Sequence, residues 1–503
     1  MSDFWQTVRD LLEGLAAIKA GAETYLPRHP VELDEDYKYR LSCGYLTNIF
    51  ADTIDTLSAK PFDQECHIID DSASVAFIGD PIMVADSTAP GKKKDSGKRK
   101  GGFQENVDGK GSHLHVFAKE VFKNGIANSL DWIFVDYPKV PAGLTQAEED
   151  QYNIRPYWYR VPALNVLEVQ SAMVGGKEEF VYMRLWEQTS VKNGWSVEVR
   201  ERVREITREK TVDKRGLVSY GMPEFVVWER DPSLNVTKEA DRWKKVDSGV
   251  YTIGVIPLVP FITGHRRGTS WQFDPSMRTC VDLQIKLYQQ ETGLENVTNL
   301  VNYPMLSAVG INLNDAEGNQ VEITMGPHTI LSAPPSPDGS GTPGRWEFIS
   351  PASDGLKFSL DRTDKTKEEL REAGRQPLTA NSQNITVVTS AFAAGRANSA
   401  VQAWALSLKD TLENALDLTA KWMNEPSEPE VFIFTDFPTG TEDESFEDVL
   451  TMREKGDLSR RTVWKEAKRR GKLAPEFDPD AEDAALADEV PSGDGDDEGA
   501  VDA

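Results

Sequence analysis

The hydrophobic pattern that organises this chain starts at Asp274. Asp274 suits a helix N-cap, and Pro275 suits the first helical position, where a missing N–H costs nothing. Met277, Val281, Ile285 and Tyr288 then recur at helical spacing, with Val297 and Val301 further on, until Pro304 stops the pattern. A helix from Ser276 to Leu300 would be roughly 37 Å long at about 1.5 Å per residue. Its polar side carries Asp282, Gln284, Gln289, Gln290, Glu291, Glu295 and Asn299. An apolar patch, Pro304 to Val309, follows at once. The pattern fits a core helix feeding a strand, or a strut that carries a small strand-rich tip away from the body.

Before this stretch, residues 1–20 read as an amphipathic surface helix, and Asp36 to Ala59 as a second helix ended by Lys60-Pro61-Phe62. Runs at Ile68 and Val75–Ile78 suit short strands. Ser112 to Asn128 reads as a helix and Leu130 to Val135 as a strand. From Arg155 to Ile262 the chain is mainly β, with turn signals at Gly175-Gly176 and Asn193-Gly194. There Val197, Val199 and Val203 alternate with charged residues, as in a half-exposed antiparallel strand.

After the long helix, residues 311–345 are rich in turn chemistry, which predicts a small strand module with a mobile tip. Arg345–Ile349 is a short strand, and Leu356–Arg375 a strongly charged helix. Leu378–Phe392 is neutral and rich in Thr, Asn and Ser. Asn398–Met423 keeps the 3.6 period for over six turns. A helical module, Glu444–Lys472, is broken by Gly456, with Ser459 as N-cap of its second helix.

Composition narrows the function classes. The 503 residues carry a net charge of −26 from 56 basic and 82 acidic residues. Twelve acids and no Lys or Arg follow from Glu476 onward, so this tail is expected to be disordered. An acidic body argues against gripping nucleic acid through its phosphates, though not against letting DNA slide past. The basic run Lys92, Lys93, Lys94, Lys98, Arg99 and Lys100 lies in a Gly/Ser-containing stretch and reads as a mobile, solvated loop that could also touch nucleic acid. Cys43, Cys66 and Cys280 form no CxxC pair, which suits a reducing cytosol. No run of eighteen apolar residues occurs, so no membrane span is expected.

No catalytic constellation stands out. GxxxxGK[ST], GxSxG, HExxH and GxGxxG are all absent, and His113 and His115 have no metal-ligand spacing. An enzyme, a metal and a cofactor are therefore not expected. A metal-dependent enzyme acting on DNA stays open, because converging acids are invisible in linear sequence.

Four stretches in order carry a resemblance: Thr53–Phe62 (TIDTLSAKPF), His115–Pro138 (HVFAKEVFKNGIANSLDWIFVDYP), Ile256–Phe261 with Asn302–Ile311 around the long helix, and the helix from Arg396 with FTDFP (Phe434–Pro438) and Leu450–Leu473. Their succession resembles the portal proteins of tailed bacteriophages, in a divergent portal-like subfamily. The resemblance implies an α+β, portal-like fold of long helices and antiparallel β-sheets with wing, stem, clip and crown regions. It places residues 1–275 in the wing and 276–345 in the stem and clip. Residues 346–425 fall in the tunnel-facing segment and returning wing helix, 426–475 in the crown and 476–503 in the tail.

The same resemblance implies a ring, dodecameric in the family, at one capsid vertex. Double-stranded DNA passes through it during packaging and ejection. The terminase large subunit, the major capsid protein and a head–tail adaptor are its partners. The protein would belong to the virion, and to the host cytoplasm during assembly. Another capsid or tail structural protein is the alternative. Lys286 on the strut and Lys92, Lys93 and Lys94 are the candidates for DNA contact. Only one stem helix, Ser276–Leu300, is clear, and the Pro/Gly-rich return path, 336–360, predicts a second strut that is short or missing.

Overall fold

The computed structural model describes residues 2–69, 73–85, 93–139, 152, 154–216, 218–231, 242–302, 305–309, 311, 344–349, 353–374, 387–425, 428–435, 437, 443–469, 472–473, 477 and 479–489. The chain opens with α1 (Ser2–Glu13), α2 (Leu15–Ala20), α3 (Asp34–Ser42) and α4 (Ile49–Ala59). Then come β1 (His67–Ile68), α5 (Val75–Ile78), β2 (Asp80–Ala85), β3 (Lys93–Lys100), α6 (Leu114–Asn128) and β4 (Leu130–Asp136). The β-rich stretch holds β5 (Tyr157–Pro162), β6 (Val166–Val174), β7 (Lys177–Asn193), β8 (Ser196–Val212), β9 (Val218–Arg230), β10 (Trp243–Val250), β11 (Leu258–Ile262), β12 (His265–Arg266) and β13 (Phe273–Asp274). After it come α7 (Arg278–Asn302), β14 (Met305–Val309), β15 (Arg345–Ile349), α8 (Ser353–Ala373) and α9 (Val387–Met423). The chain closes with β16 (Val431–Phe432), α10 (Asp443–Glu454), α11 (Arg460–Arg469) and α12 (Pro479–Glu489). These form an α+β fold of two compact units. One joins residues 3–53 to 277–374, and the other joins residues 1–2, 54–276 and 375–503.

The β-rich unit is built on β4, whose seven residues LDWIFVD are all buried. A strand buried on both faces must be apolar on both, which is why the run is continuous rather than alternating. It is the middle of a three-stranded antiparallel sheet, β11-β4-β5. Trp132 and Phe134 face the five-stranded meander β10-β9-β8-β7-β6, with Trp132 against Phe180 and Phe134 against Tyr251. The opposite face meets α6 and α9. Phe122 of α6 stacks on Phe261 at 5.8 Å between centroids, and Trp158 Nε1 donates to Thr419 Oγ1 at 2.8 Å. Gly125 on α6 is required by this contact, since a Cβ there would lie 2.2 Å from the Phe261 ring. The outer edge of β11 is closed by α9. Ser407 and Thr411 hydroxyls donate to the carbonyls of Ile262 and Pro260, at 3.0 and 3.2 Å. Side-chain donors so placed satisfy edge carbonyls that a buried strand cannot leave bare.

Several expectations are corrected here. Val75–Ile78 is a single helical turn, with Phe77 packed against Phe103 at 6.3 Å. So short an apolar run has no period that distinguishes helix from strand. The basic stretch expected to be a loop contains β3, paired antiparallel with β2, Lys94 opposite Val84 and Lys100 opposite Asp80. A strand-forming neighbour supplied the ladder that composition concealed. Asp274 lies in β13, paired with His265, and helix α7 begins at Arg278.

The tail expected to be without order contains α12. Arg461 Nε on α11 donates to Asp483 on α12 at 3.0 Å, and Trp464 meets the Phe477 ring edge-on at 5.5 Å. Residues 490–503 lie outside the described residues. The N-cap expected of Ser459 is present: its Oγ accepts the Thr462 N–H at 3.2 Å.

Candidate functional site

The helical unit centres on a hairpin of two helices. α7 has 25 residues and α8 has 21. Between them β14 and β15 pair antiparallel in continuous register, Met305 opposite Ile349 and Val309 opposite Arg345. α8 packs back along α7. A second long helix therefore follows the ribbon and packs on the first. It is the charged helix expected over Leu356–Arg375, which the sequence did not pair with α7. Its polarity hid it: the buried positions of α8 are Thr363, Thr366 and Leu370, with Gly374 just past its end, and only one of these is a large apolar residue. Thr363 and Thr366 are tolerated in the seam because each hydroxyl donates to a carbonyl one turn back, Ser359 and Arg362, at 2.8 and 3.0 Å. Gly374 ends the helix where a Cβ would lie 2.7 Å from Thr53 Cγ2.

The polar side of α7 is partly turned inward. Gln284 and Glu291 are buried. Gln284 Oε1 accepts the Phe50 N–H and its Nε2 donates to the Thr47 carbonyl, both at 2.9 Å. Glu291 accepts the Thr47 N–H at 2.9 Å, the Thr47 hydroxyl at 2.6 Å and the Lys367 ammonium at 3.1 Å. Gln289 Nε2 donates to the Tyr25 carbonyl at 2.8 Å. These side chains bind mainly the N-terminal segment between Tyr25 and Phe50.

That use accounts for a second correction. The single helix expected over Asp36–Ala59 is two, α3 and α4, parted at residues 43–48. Gly44 fits where a Cβ would crowd the Tyr288 hydroxyl at 3.0 Å. Asn48 Oδ1 then caps α4 by accepting the Ala51 N–H at 3.0 Å. α7 supplies partners for the backbone groups that the break leaves without helical bonds.

The N-terminal part of the unit is pinned by Arg40, which is buried and forks onto Glu32 through Nε and an Nη at 2.7 Å each. Arg40 holds the Glu32 carboxyl down at about 2, against the usual 4.5. α1 and α2, expected to lie on the surface, bury Val8, Leu11 and Ile18 completely.

The charged residues that α7 and α8 leave exposed are nearly balanced in sign, and Val297, Phe358 and Leu360 are exposed with them. Asp282, Glu295, Asp361, Asp364, Glu368, Glu369 and Glu372 stand beside Arg278, Lys286, Lys357, Arg362, Lys365 and Arg371. Such a surface carries no one-signed basic stripe of the kind that holds phosphates. Lys286, one predicted DNA contact, is exposed on α7. Lys93 and Lys94 have their backbones in β3, opposite Ala85 and Val84. Lys92 lies outside the described residues, as does the expected clip tip between 312 and 343. Lys286 belongs to the helical unit and the basic run to the β-rich unit.

His113 and His115 have structural roles. His113 Nδ1 accepts the His115 N–H at 3.1 Å as the N-cap of α6, and His115 Nδ1 accepts the Cys66 N–H at 3.0 Å. Among the described residues no group of His, Cys, Asp and Glu could hold a metal ion, and no helix is long and apolar enough to cross a membrane.

Comparison with known proteins adds three facts. Residues 277–423 match the model of a domain of unknown function, DUF4055. The match runs from the first residue before α7 to the last residue of α9. No curated protein matches the chain. A solved structure described as the neck of an empty GTA particle computed with C6 symmetry is 9% identical, with 88% of this chain and 95% of that chain covered and a TM-score of 0.39.

Proposed function

We propose that this chain is a portal protein of a tailed bacteriophage, one subunit of a ring at a capsid vertex through which DNA is packaged and ejected. One observation carries the reading: a hairpin of two long helices joined through a β-ribbon. It stands at the place in the chain order where the resemblance puts stem and clip. The order of the four resembling stretches around that hairpin supports it further.

The physics of the hairpin suits a conduit. DNA that must slide needs walls that neither grip phosphates nor present a single strong trap. The exposed charges of α7 and α8 are mixed in sign. The terminase large subunit, the capsid shell and a head–tail adaptor are the partners this role requires.

The deciding experiment is negative-stain microscopy with native mass spectrometry on the purified full chain. Rings of one subunit number with an axial hole are expected, twelve by the family resemblance. A monomer at tens of micromolar would overturn the reading. A closed assembly without an axial hole would move the chain to another capsid or tail role.

A further inference from the structure

Within an acidic chain, α11 is locally basic. From Arg460 to Lys472 the sequence carries seven Lys and Arg and a single acid, Glu466. Arg461, Lys465 and Lys468 are all exposed. Their spacing, i, i+4 and i+7, sets them in one row along one face of the helix. Glu466 is half-buried and falls away from that row, while the buried Val463 and Ala467 fall on its far side. The neighbouring α10 and the turn after it expose charges of both signs: Glu447, Asp448, Arg453, Glu454, Lys455 and Asp457. The row on α11 is therefore one-signed, which the surface of α7 and α8 is not.

This row already has a cover. At one end, Lys468 Nζ donates to the Phe477 carbonyl at 3.4 Å, beside the edge-on contact of Phe477 with Trp464. At the other end, Arg461 Nε donates to Asp483 at 3.0 Å. Glu482, next to Asp483 on α12, is exposed. The covering segment belongs to a stretch with twelve acids and no Lys or Arg from Glu476 onward, so it is itself a polyanion. Its grip is weak. The Arg461 and Asp483 side chains are 60% and 36% exposed, and ion pairs so open to water gain little and are screened by salt.

We infer that the row Arg461, Lys465 and Lys468 is a phosphate-binding face for duplex DNA, and that the acidic segment after Glu476 is its displaceable cover. The row spans about 10 Å of helix axis at about 1.5 Å per residue. Over that length a duplex offers about six phosphates, at one per about 1.7 Å, a denser line of charge than the cover supplies. With the cover in place the chain holds DNA weakly, in keeping with its net charge; DNA at high local concentration displaces it. Duplex DNA as the occupant rests on the conduit reading, which brings that polyanion to the ring.

The test measures binding of a labelled duplex of about 30 base pairs by fluorescence anisotropy over a salt series from about 50 to about 200 mM. The uncovered variant carries Glu482→Gln and Asp483→Asn in a chain ended at Glu489, which keeps Phe477 and α12. It should bind about tenfold more tightly than the wild type at the lowest salt, and lose affinity more steeply as salt rises. Adding Lys465→Glu and Lys468→Glu should abolish that gain and reduce the salt slope by roughly two. Lys465 and Lys468 are exposed, so the fold should persist, which circular dichroism checks. Equal affinity of wild type and uncovered variant, or a gain that survives both reversals, would overturn the inference. Oligomeric state is read separately. Wild-type rings without the gain leave the ring reading standing alone, and a monomer that shows the gain through Lys465 and Lys468 keeps the DNA face and loses the ring.

Discussion

Glu291 on α7 accepts both the backbone N–H and the hydroxyl of Thr47, at 2.9 and 2.6 Å, across 244 positions of sequence. With Gln284 it holds the break between α3 and α4 in place of helical hydrogen bonds. The long helix is thus the scaffold on which the N-terminal segment is laid.

Replacing Gln284 by Leu should therefore do more than remove two hydrogen bonds. It leaves the buried Phe50 N–H without a partner, while the half-buried Thr47 carbonyl keeps the Ile49 N–H. The expected loss is about 1–3 kcal/mol, read as a lower urea midpoint. An exposed neighbour, Asp282→Asn, should change stability by less than about 0.5 kcal/mol.

Asp131 gives the chain a distinctive pH dependence. It is fully buried, and burial raises its carboxyl to about 7 despite Arg160 at 3.4 Å. Unfolded, the group loses its proton near 3.8; folded, it keeps the proton to about 7. The unfolded state thus holds fewer protons across that window, and this group's contribution to stability falls as pH rises from about 4 to about 7. Asp131→Asn should remove that slope. Denaturation of both proteins at pH 5 and pH 7.5 checks it: the difference between them must change with pH, and a constant difference would contradict the prediction.

Truncation should separate the two parts of the acidic tail. Removing residues 490–503 should leave assembly and melting temperature unchanged. Removing residues 476–503 also deletes Phe477 and α12 and uncovers Trp464. A lower melting temperature, with the α10–α11 module cut sooner by protease, is expected from the longer deletion alone.

Lys286 is the one predicted DNA contact whose side chain is described, and it is exposed on the hairpin. Charge reversal, Lys286→Glu, should slow DNA packaging in a reconstituted system while leaving the oligomer intact. Packaging at the wild-type rate would remove Lys286 from the channel wall.

The strongly periodic and buried parts of this fold were legible in the sequence. The run LDWIFVD reads as a buried strand, the stripe from Val401 to Trp422 as a packed helix, and Ser459 as a cap, because each signal lies within a few neighbouring residues. The hidden parts were those in which polar atoms do the packing. α8 buries threonines that satisfy themselves on their own helix, so its seam left no apolar stripe to find. Gln284 and Glu291 looked like a solvent face until the partners at Phe50 and Thr47 were known.

By itself the sequence determined the α+β class, the acidic balance, the long helix and the order of elements behind the portal resemblance. Local spacing and composition suffice for these. Only the tertiary structure decided that a second helix packs on the first and that Gln284 and Glu291 of α7 turn inward. Each depends on which distant groups meet, and a hydrogen bond between residues some 240 positions apart leaves no periodic trace in either segment.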